Sequence, residues 1–563
     1  MNLSTTIAQP SFIGRFAPVG IRVFLLSAAL SLWVCLGLFG ATATAKSEIV
    51  ELRLDDYLRN VLDHNESLQA HLLEAEAGHR KARAEWGAFE PEVTASIVRE
   101  SNQRTNNVQQ AAQQGSQFYF SERNTIVDGG LQALLPIGGK VRLGYTLSDL
   151  VNNVNPLGSF LSTSTNRFIQ QYQTFVGVTL TQPLLKNGGF TVNLAGIRMA
   201  ALDSEIAFQE YRRQLMLTLS QAEVAYWNLY YAQEQLRFFE ESVSVAESIL
   251  NDSQEKLKAG QSSELEVLES QSGLALRKTK QNEALQSYYE AMSQVRAFTG
   301  ASPMEQARTL HALDIPAVTN APDSYAESFQ KAFELNPDYL MQRKKVAEEK
   351  LRLDVSRNQL LPNLNVKAAY GYNGLGRTPG ESWNLAERGY FPSWSLGAEL
   401  TVPLGGNFKG RHQFAAAQLT YQGAIINLES VQTQIANALE VSIQKARSWQ
   451  DSIQSYQTVV HFNEALLKTQ RERLNVGKIE PRKVLEVEAD LLDSRQSLAQ
   501  AVVQLRRAGL QLQIVGGTLL KDRGMDLSRD ELRHKTLALL HRDVLPADVY
   551  KPVLDIQPGG GAN

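Results

Sequence analysis

Two glycines, Gly260 and Gly477, interrupt long apolar stripes, and this pattern restricts the chain more than any other. Before Gly477, Leu439, Ala446, Ile453, Val460, Leu467 and Leu474 recur about every seven residues. After it, Val484, Val487, Leu491, Leu498, Ala501, Leu505, Ala508, Leu512 and Val515 fall on alternating steps of roughly three and four. A stripe of about 3.5-residue period is what one helix needs to wind left-handedly on another. The break, Asn475-Val476-Gly477-Lys478, is short. Glycine tolerates the left-handed backbone that ends a helix, and Pro481 suits the first turn of the next. The spacing therefore predicts a long α-hairpin with its tip at Gly477.

The same object occurs earlier. Leu215, Ala222, Leu229, Leu236, Val243, Leu250 and Leu257 lead into Ala259-Gly260, and Val267, Leu274, Ala284, Tyr288, Ala291, Val295 and Phe298 lead away. An offset of about 217 carries Leu250 onto Leu467 and Val267 onto Val484, which reads as an internal duplication. The duplication extends further. Asn65 to Pro91 and Asn336 to Pro362 are both helical stretches of about 26 residues. The first helix is expected to run from Leu54 to Trp86, through Leu58, Leu62, Leu68, Leu72 and Ala75.

After each proline the period changes to two. Leu364, Val366, Ala368, Tyr370 and Tyr372 alternate with polar or small residues, as do Trp394, Leu396, Ala398 and Leu400. The first repeat supplies Val93, Ala95 and Ile97, then a strand near Phe175 to Leu180. Strands of about ten residues with one apolar face are long enough to cross a bilayer when tilted, and Tyr370, Tyr372, Phe391 and Trp394 suit an interfacial girdle. Two hairpins leave open edges, which a membrane forbids. They close by joining other copies, and three copies of four strands would give about twelve. The first repeat also carries an insertion near 101–150. It begins with a Gln/Asn/Ser-rich stretch and ends in an alternating segment with Val141, Leu143, Tyr145 and Leu147. An extra hairpin is expected there; the sequence leaves open whether it enters the wall or caps the outside.

Length sets a second constraint. From Pro183 to Gly260 is about 77 residues and from Pro403 to Gly477 about 74, enough for helices of roughly 100 Å. The return helices are about 40 residues; adding the partner helix of about 26 brings each pair close to the long helix. Two short helices stacked end to end beside each long one would build a wall of even height. The expected fold is thus mainly α with a β-barrel portion: an α-barrel of coiled-coil hairpins continuing into a transmembrane β-barrel. The divisions are a signal peptide at 1–45, a first repeat at 46–300, an inter-repeat equatorial segment at 301–330, a second repeat at 331–517 and a C-terminal equatorial segment at 518–563, its last ten or so residues disordered.

Arg15 and Arg22 precede an apolar run from Val23 to Gly40, with Ala43-Thr44-Ala45 following, the pattern of a cleaved secretory signal. The sole cysteine, Cys35, lies inside it, so the mature chain is expected to have no disulfide. With 56 basic and 59 acidic side chains the net charge is -3, which offers nucleic acid no electrostatic footprint. The eight histidines are scattered; His64 and His71 share one expected helix, His534 and His541 another. No His-Glu-x-x-His and no Gly-rich phosphate loop occurs, so neither an enzyme nor a cofactor or metal site is expected.

The signal, the paired repeats, the helix-Pro-strand order, the matching Leu180-Thr181-Gln182-Pro183-Leu184 and Leu400-Thr401-Val402-Pro403-Leu404, and the Gly-tipped hairpins together resemble the TolC outer-membrane efflux family. The resemblance implies a homotrimer spanning the outer membrane, with its helical part in the periplasm. It implies the exit duct of a tripartite efflux pump or type I secretion system. A periplasmic adaptor (membrane fusion protein) would dock on the tips, and an inner-membrane transporter of RND, ABC or MFS type would supply energy. It places the gate at Lys483 and Glu486, with Glu266 and Glu269 as first-repeat equivalents. Only Glu486 of the second-repeat pair keeps the family's acidic charge. The family's Tyr and Arg latch falls on Leu474 and Ile479 and is not carried over. The exposed tips Ala259, Gly260, Val476 and Gly477 are the expected adaptor contacts, since glycine lets another backbone approach closely. The rival reading is a periplasmic coiled-coil scaffold or adaptor without a pore, which accounts for the heptads but not for the amphipathic strands.

Overall fold

A computed structural model describes residues 49–109, 119–153, 169–300, 308–316 and 324–540. The expected signal peptide with Cys35, the later part of the Gln-rich stretch, His541 and the chain after Leu540 lie outside the described residues. The chain divides into two compact units. The smaller is Met1–Val50 with Ser302–Leu310; the larger, Glu51–Ala301 with His311–Asn563, holds the main sheet and the long helices.

The elements follow the sequence pattern closely. Strand β1 (Ile49–Leu52) leads into helix α1 (Leu54–His64) and α2 (Glu66–Ala84), then β2 (Glu92–Thr105), β3 (Tyr119–Leu134), β4 (Lys140–Asn152) and β5 (Ile169–Pro183). A short α3 (Phe190–Asn193) precedes α4 (Ala195–Lys258), which returns as α5 (Glu264–Ala297). After β6 (Thr309–Ala312) come α6 (Tyr325–Leu335), α7 (Pro337–Asn358), β7 (Asn363–Gly376), α8 (Pro379–Glu387) and β8 (Pro392–Thr401). Helix α9 (Phe408–Asn475) returns as α10 (Pro481–Gly516), followed by α11 (Leu519–Asp522) and α12 (Arg529–Leu540).

The heptad stripes are buried or half-buried. Leu215, Ala222 and Leu229 on α4 are wholly enclosed, as are Leu439 on α9 and Val484 on α10. At 64 and 68 residues, α4 and α9 each run about 100 Å at 1.5 Å per residue. Beside α4 packs α2, and beside α9 packs α7, each in line with a return helix.

The first helix differs from the sequence expectation. It is broken at Asn65, whose side chain leaves the helical path to accept a hydrogen bond from Leu68 N (3.1 Å) and donates to Phe298 O (3.2 Å). Asn336 does the same between α6 and α7, accepting from Tyr339 N (3.1 Å) and donating to Val515 O (2.9 Å). An Asn side chain satisfies the free amides of a helix start better than any apolar residue, and here it also binds the end of a return helix. Gly517, just past α10, is held at φ 72° against the backbone of Leu335 and Asn336. Gly517→Ala is expected to cost about 2 kcal/mol or more, from left-handed strain plus that contact, read as a lower thermal midpoint in detergent.

The sequence counted four strands and an extra hairpin whose place was open; the sheet has six strands, in the order β2-β3-β4-β5-β7-β8, all antiparallel. The insertion thus supplies β3 and β4 within the sheet. One face is apolar from edge to edge: Val93, Leu131, Leu143, Val178, Tyr370 and Trp394 form a single cross-strand row, every one of them exposed. The opposite face carries Asp128, Arg142 and Thr146, where Arg142 pairs with Asp128 and Thr146 Oγ1 donates to Asp128 Oδ2 at 2.8 Å. At the end far from the long helices, α8 folds back onto the apolar face. Ser382 Oγ lies 2.8 Å from Thr174 Oγ1, and Trp383 meets Tyr145 edge-on.

Candidate functional site

The two hairpin tips form the functional candidate, and both end in the same way. Gly260 N donates to Leu257 O (2.9 Å) and Gln261 N to Lys256 O (2.8 Å); Gly477 N donates to Leu474 O (3.0 Å) and Lys478 N to Arg473 O (3.0 Å). Both glycines sit at φ 72°, and the space where a Cβ would stand is open at each. This is the left-handed helix ending that glycine alone adopts without strain. Ala259, Gly260, Val476 and Gly477 are all exposed. Ser263 starts α5 by capping Glu266 N, and Pro481 starts α10.

The tips touch each other within one chain. Lys256 Nζ donates to Leu474 O at 3.3 Å, and Leu474 is buried with Ala246, Ile249, Val484 and Leu485. A cleft between the tips is lined by Asp252, Lys256, Glu266, Gly477, Glu480 and Lys483, among others. Two of the expected gate positions, Glu266 and Lys483, therefore share one cleft. Glu266 accepts from Ser262 Oγ at 2.7 Å. Glu486 stands on the exposed side of α10, 3.0 Å from Lys483 Nζ and 3.2 Å from Arg482 Nε. The Lys483 hydrogen bond, then its charge and that of Arg482, hold the Glu486 carboxyl below the usual carboxylate range. It therefore stays ionised into mild acid, and its pairing is lost only as pH falls through that lowered value. Glu269 lies half-buried on α5, one turn past Glu266.

One group escaped the sequence reading. Arg277 and Glu488 are a buried ion pair joining α5 to α10. Arg277 Nε is 2.9 Å from Glu488 Oε2 and 3.1 Å from Ser242 Oγ, and its Nη2 donates to Leu485 O at 2.9 Å. The signal was there: Arg277 falls three residues after Leu274, on the apolar stripe itself. Other long-range ion pairs join Arg523 to Glu223 and Arg212 to Asp526, whereas the histidines near the N-terminal helices make local contacts. His64 Nδ1 lies 3.2 Å from Asn60 O and His71 Nδ1 2.9 Å from Glu74. Among the described residues no cluster of three or more His, Cys, Asp or Glu could hold a metal, and no helix is long and apolar enough to cross a membrane.

Comparison with known proteins bears on this arrangement. The outer membrane efflux protein family matches residues 152–301 and 329–518, more than half of the 563 residues. The alkaline protease secretion protein AprF of Pseudomonas aeruginosa is 24% identical over 344 residues, 60% of this chain and 67% of that protein. The fold is similar to the CmeC outer membrane channel of Campylobacter jejuni (TM-score 0.56, 12% identity, 86% of this chain and 89% of the other). It is also similar to the outer-membrane channel OprN (TM-score 0.59, 14% identity, 82% and 89%). The resemblance to the TolC family is borne out, and the chain belongs to the outer membrane efflux protein family, outer-membrane channels whose helical domain lies in the periplasm.

Proposed function

We propose that three copies of this chain close into a duct that conducts substrate passively from the periplasm to the outside. It would be the exit of a tripartite efflux pump or type I secretion system. The observation that carries this reading is the sheet. It has an apolar row exposed along its whole width and two edges, β2 and β8, that no strand covers among the described residues. Unpaired strand edges cannot stay in hydrocarbon, so β2 of one copy must meet β8 of another. The helices then continue the ring into the periplasm for about 100 Å.

In this reading the paired Asn caps and paired Gly tips are the two halves of a duplicated unit, 46–300 and 331–517, with 301–330 and 518–563 lying around the tube. Residues up to Leu540 fit such a belt: Arg212 pairs with Asp526, Arg523 with Glu223 and Lys535 with Asp63. The tips receive a periplasmic adaptor, and an inner-membrane RND, ABC or MFS transporter drives transport. The printed name of the AprF relative, a secretion protein, favours the type I secretion branch. A periplasmic scaffold without a pore would have no use for the apolar sheet face.

The test is direct. Detergent-extracted protein from the outer-membrane fraction should run as a heat-sensitive trimer and give ion channels in a planar bilayer. A soluble monomer that never needs detergent would end the proposal. Glu486→Ala removes the partner of Arg482 and Lys483 in each copy. Its expected effect is a shift of the channel toward anion selectivity; unchanged selectivity would move the constriction away from this turn.

A further inference from the structure

We propose that the β3–β4 hairpin is part of the membrane wall, so that the assembled barrel has eighteen strands, six from each of three copies, and a bore wide enough for a polypeptide that already carries secondary structure. This rests on the trimeric duct proposed above. The family match, residues 152–301 and 329–518, begins where β4 ends and so does not itself assign this hairpin.

Four observations place the hairpin in the wall. Its register runs without a bulge from Glu92↔Gln132 through Gln132↔Arg142 to Arg142↔Thr179, so β2 and β5 are separated by two full strands. Leu131 and Leu143 stand in the middle of the apolar row that begins at Val93 and ends at Trp394. A hairpin that capped the outside would interrupt that row rather than complete it. On the opposite face Gly130, Gly144, Gly177 and Gly371 are neighbours across four strands, with Phe175 lying over the last two. Missing side chains on one row relieve crowding where a sheet curls inward. The inserted strands share this row with the strands expected from the sequence. Finally, the β3–β4 turn is tied to the junction with the helices: Ile137 O accepts from Gly189 N and from Gln182 Nε2, both at 3.1 Å.

Width follows from strand number. At about 4.8 Å between strands and a tilt of about 40°, eighteen strands give a backbone diameter of about 36 Å and twelve give about 24 Å. Twelve helices, four from each copy at any height, spaced about 9 Å apart, form a ring of about 34 Å. The eighteen-stranded wall therefore continues the helical ring at nearly the same width, whereas twelve strands would pinch it. After side chains, the bore is about 25 Å, room for two helices of about 10–12 Å abreast. On the lumen face Arg142 pairs with Asp128 and Lys367 with Glu399, while Glu92, Glu100 and Glu122 on the same face accept from the amides of Gln132, Asn124 and Asn102.

The experiment uses the full-length trimer in planar bilayers, with polyethylene glycols of graded size added on the side away from the helices. Polymers up to a hydrodynamic diameter of about 25 Å should enter and lower the conductance. Removing residues 119–152 leaves β2 antiparallel to β5, and the cutoff should fall to about 13 Å. A full-length cutoff near the smaller value would overturn the proposal. Should the deletion fail to assemble, Leu143→Cys in a Cys35→Ser background decides. It should react with a bilayer-dissolved maleimide and resist a water-soluble one, with Thr146→Cys showing the reverse. Free reaction of Leu143→Cys with the water-soluble reagent would place the hairpin outside the wall and overturn the proposal. Channels with the narrow cutoff would defeat only the strand number; monomers without channels would defeat the duct itself.

Discussion

Arg277→Ala is expected to destabilise the paired hairpins by about 3–5 kcal/mol, because it leaves the Glu488 carboxylate enclosed without a counter-charge. Both side chains are about nine-tenths buried, and the guanidinium also satisfies Leu485 O, Gly273 O and Ser242 Oγ. Arg277→Lys should recover little of this, since an ammonium cannot span those acceptors in one plane. Replacing both partners with apolar residues of similar size, Arg277→Met with Glu488→Leu, should restore most of the stability, because the desolvation cost disappears with the pair. Thermal unfolding of the helical signal in detergent measures all three. A single alanine variant as stable as the parent would show that water reaches Glu488 in the assembled protein.

The second large effect is on export. Ala259→Asp combined with Val476→Asp should reduce export by about tenfold or more, since charges placed in the centre of a docking surface are costly to desolvate. Trimers should still reach the outer membrane in normal amount. Val476 is 66% exposed and Ala259 is also exposed, so neither change disturbs packing within the chain. This is a sharper probe than deleting Leu474 to Arg482, because Leu474 is buried beneath the tip beside Ile249 and Val484 and its loss would open the core. Secreted substrate is measured against trimer in the membrane fraction. Full export by the double variant would rule out docking at the tips.

The helical hairpins, their tips and the strands that follow Pro91 and Pro362 are legible in the order of residues alone. Those features depend on local periodicity and on what glycine and proline allow, so residues a few positions apart report them. Leu439 to Leu474 reads as a buried stripe with no partner in view, and the left-handed turn at Gly477 follows from the glycine. Other features depend on which distant groups meet. Asn65 and Asn336 cap the helices that follow them locally, but that each side chain also binds a return helix more than 170 residues away is visible only in the fold. Arg277 lies on an apolar stripe and looks misplaced until α10 brings Glu488 beside it. Leu131 and Leu143 alternate like any membrane strand, but only the cross-strand register shows them completing a face that starts at Val93 and ends at Trp394. Tertiary structure decided strand number and charge pairing because both are sums over partners remote in the chain, and local spacing carries no record of partners.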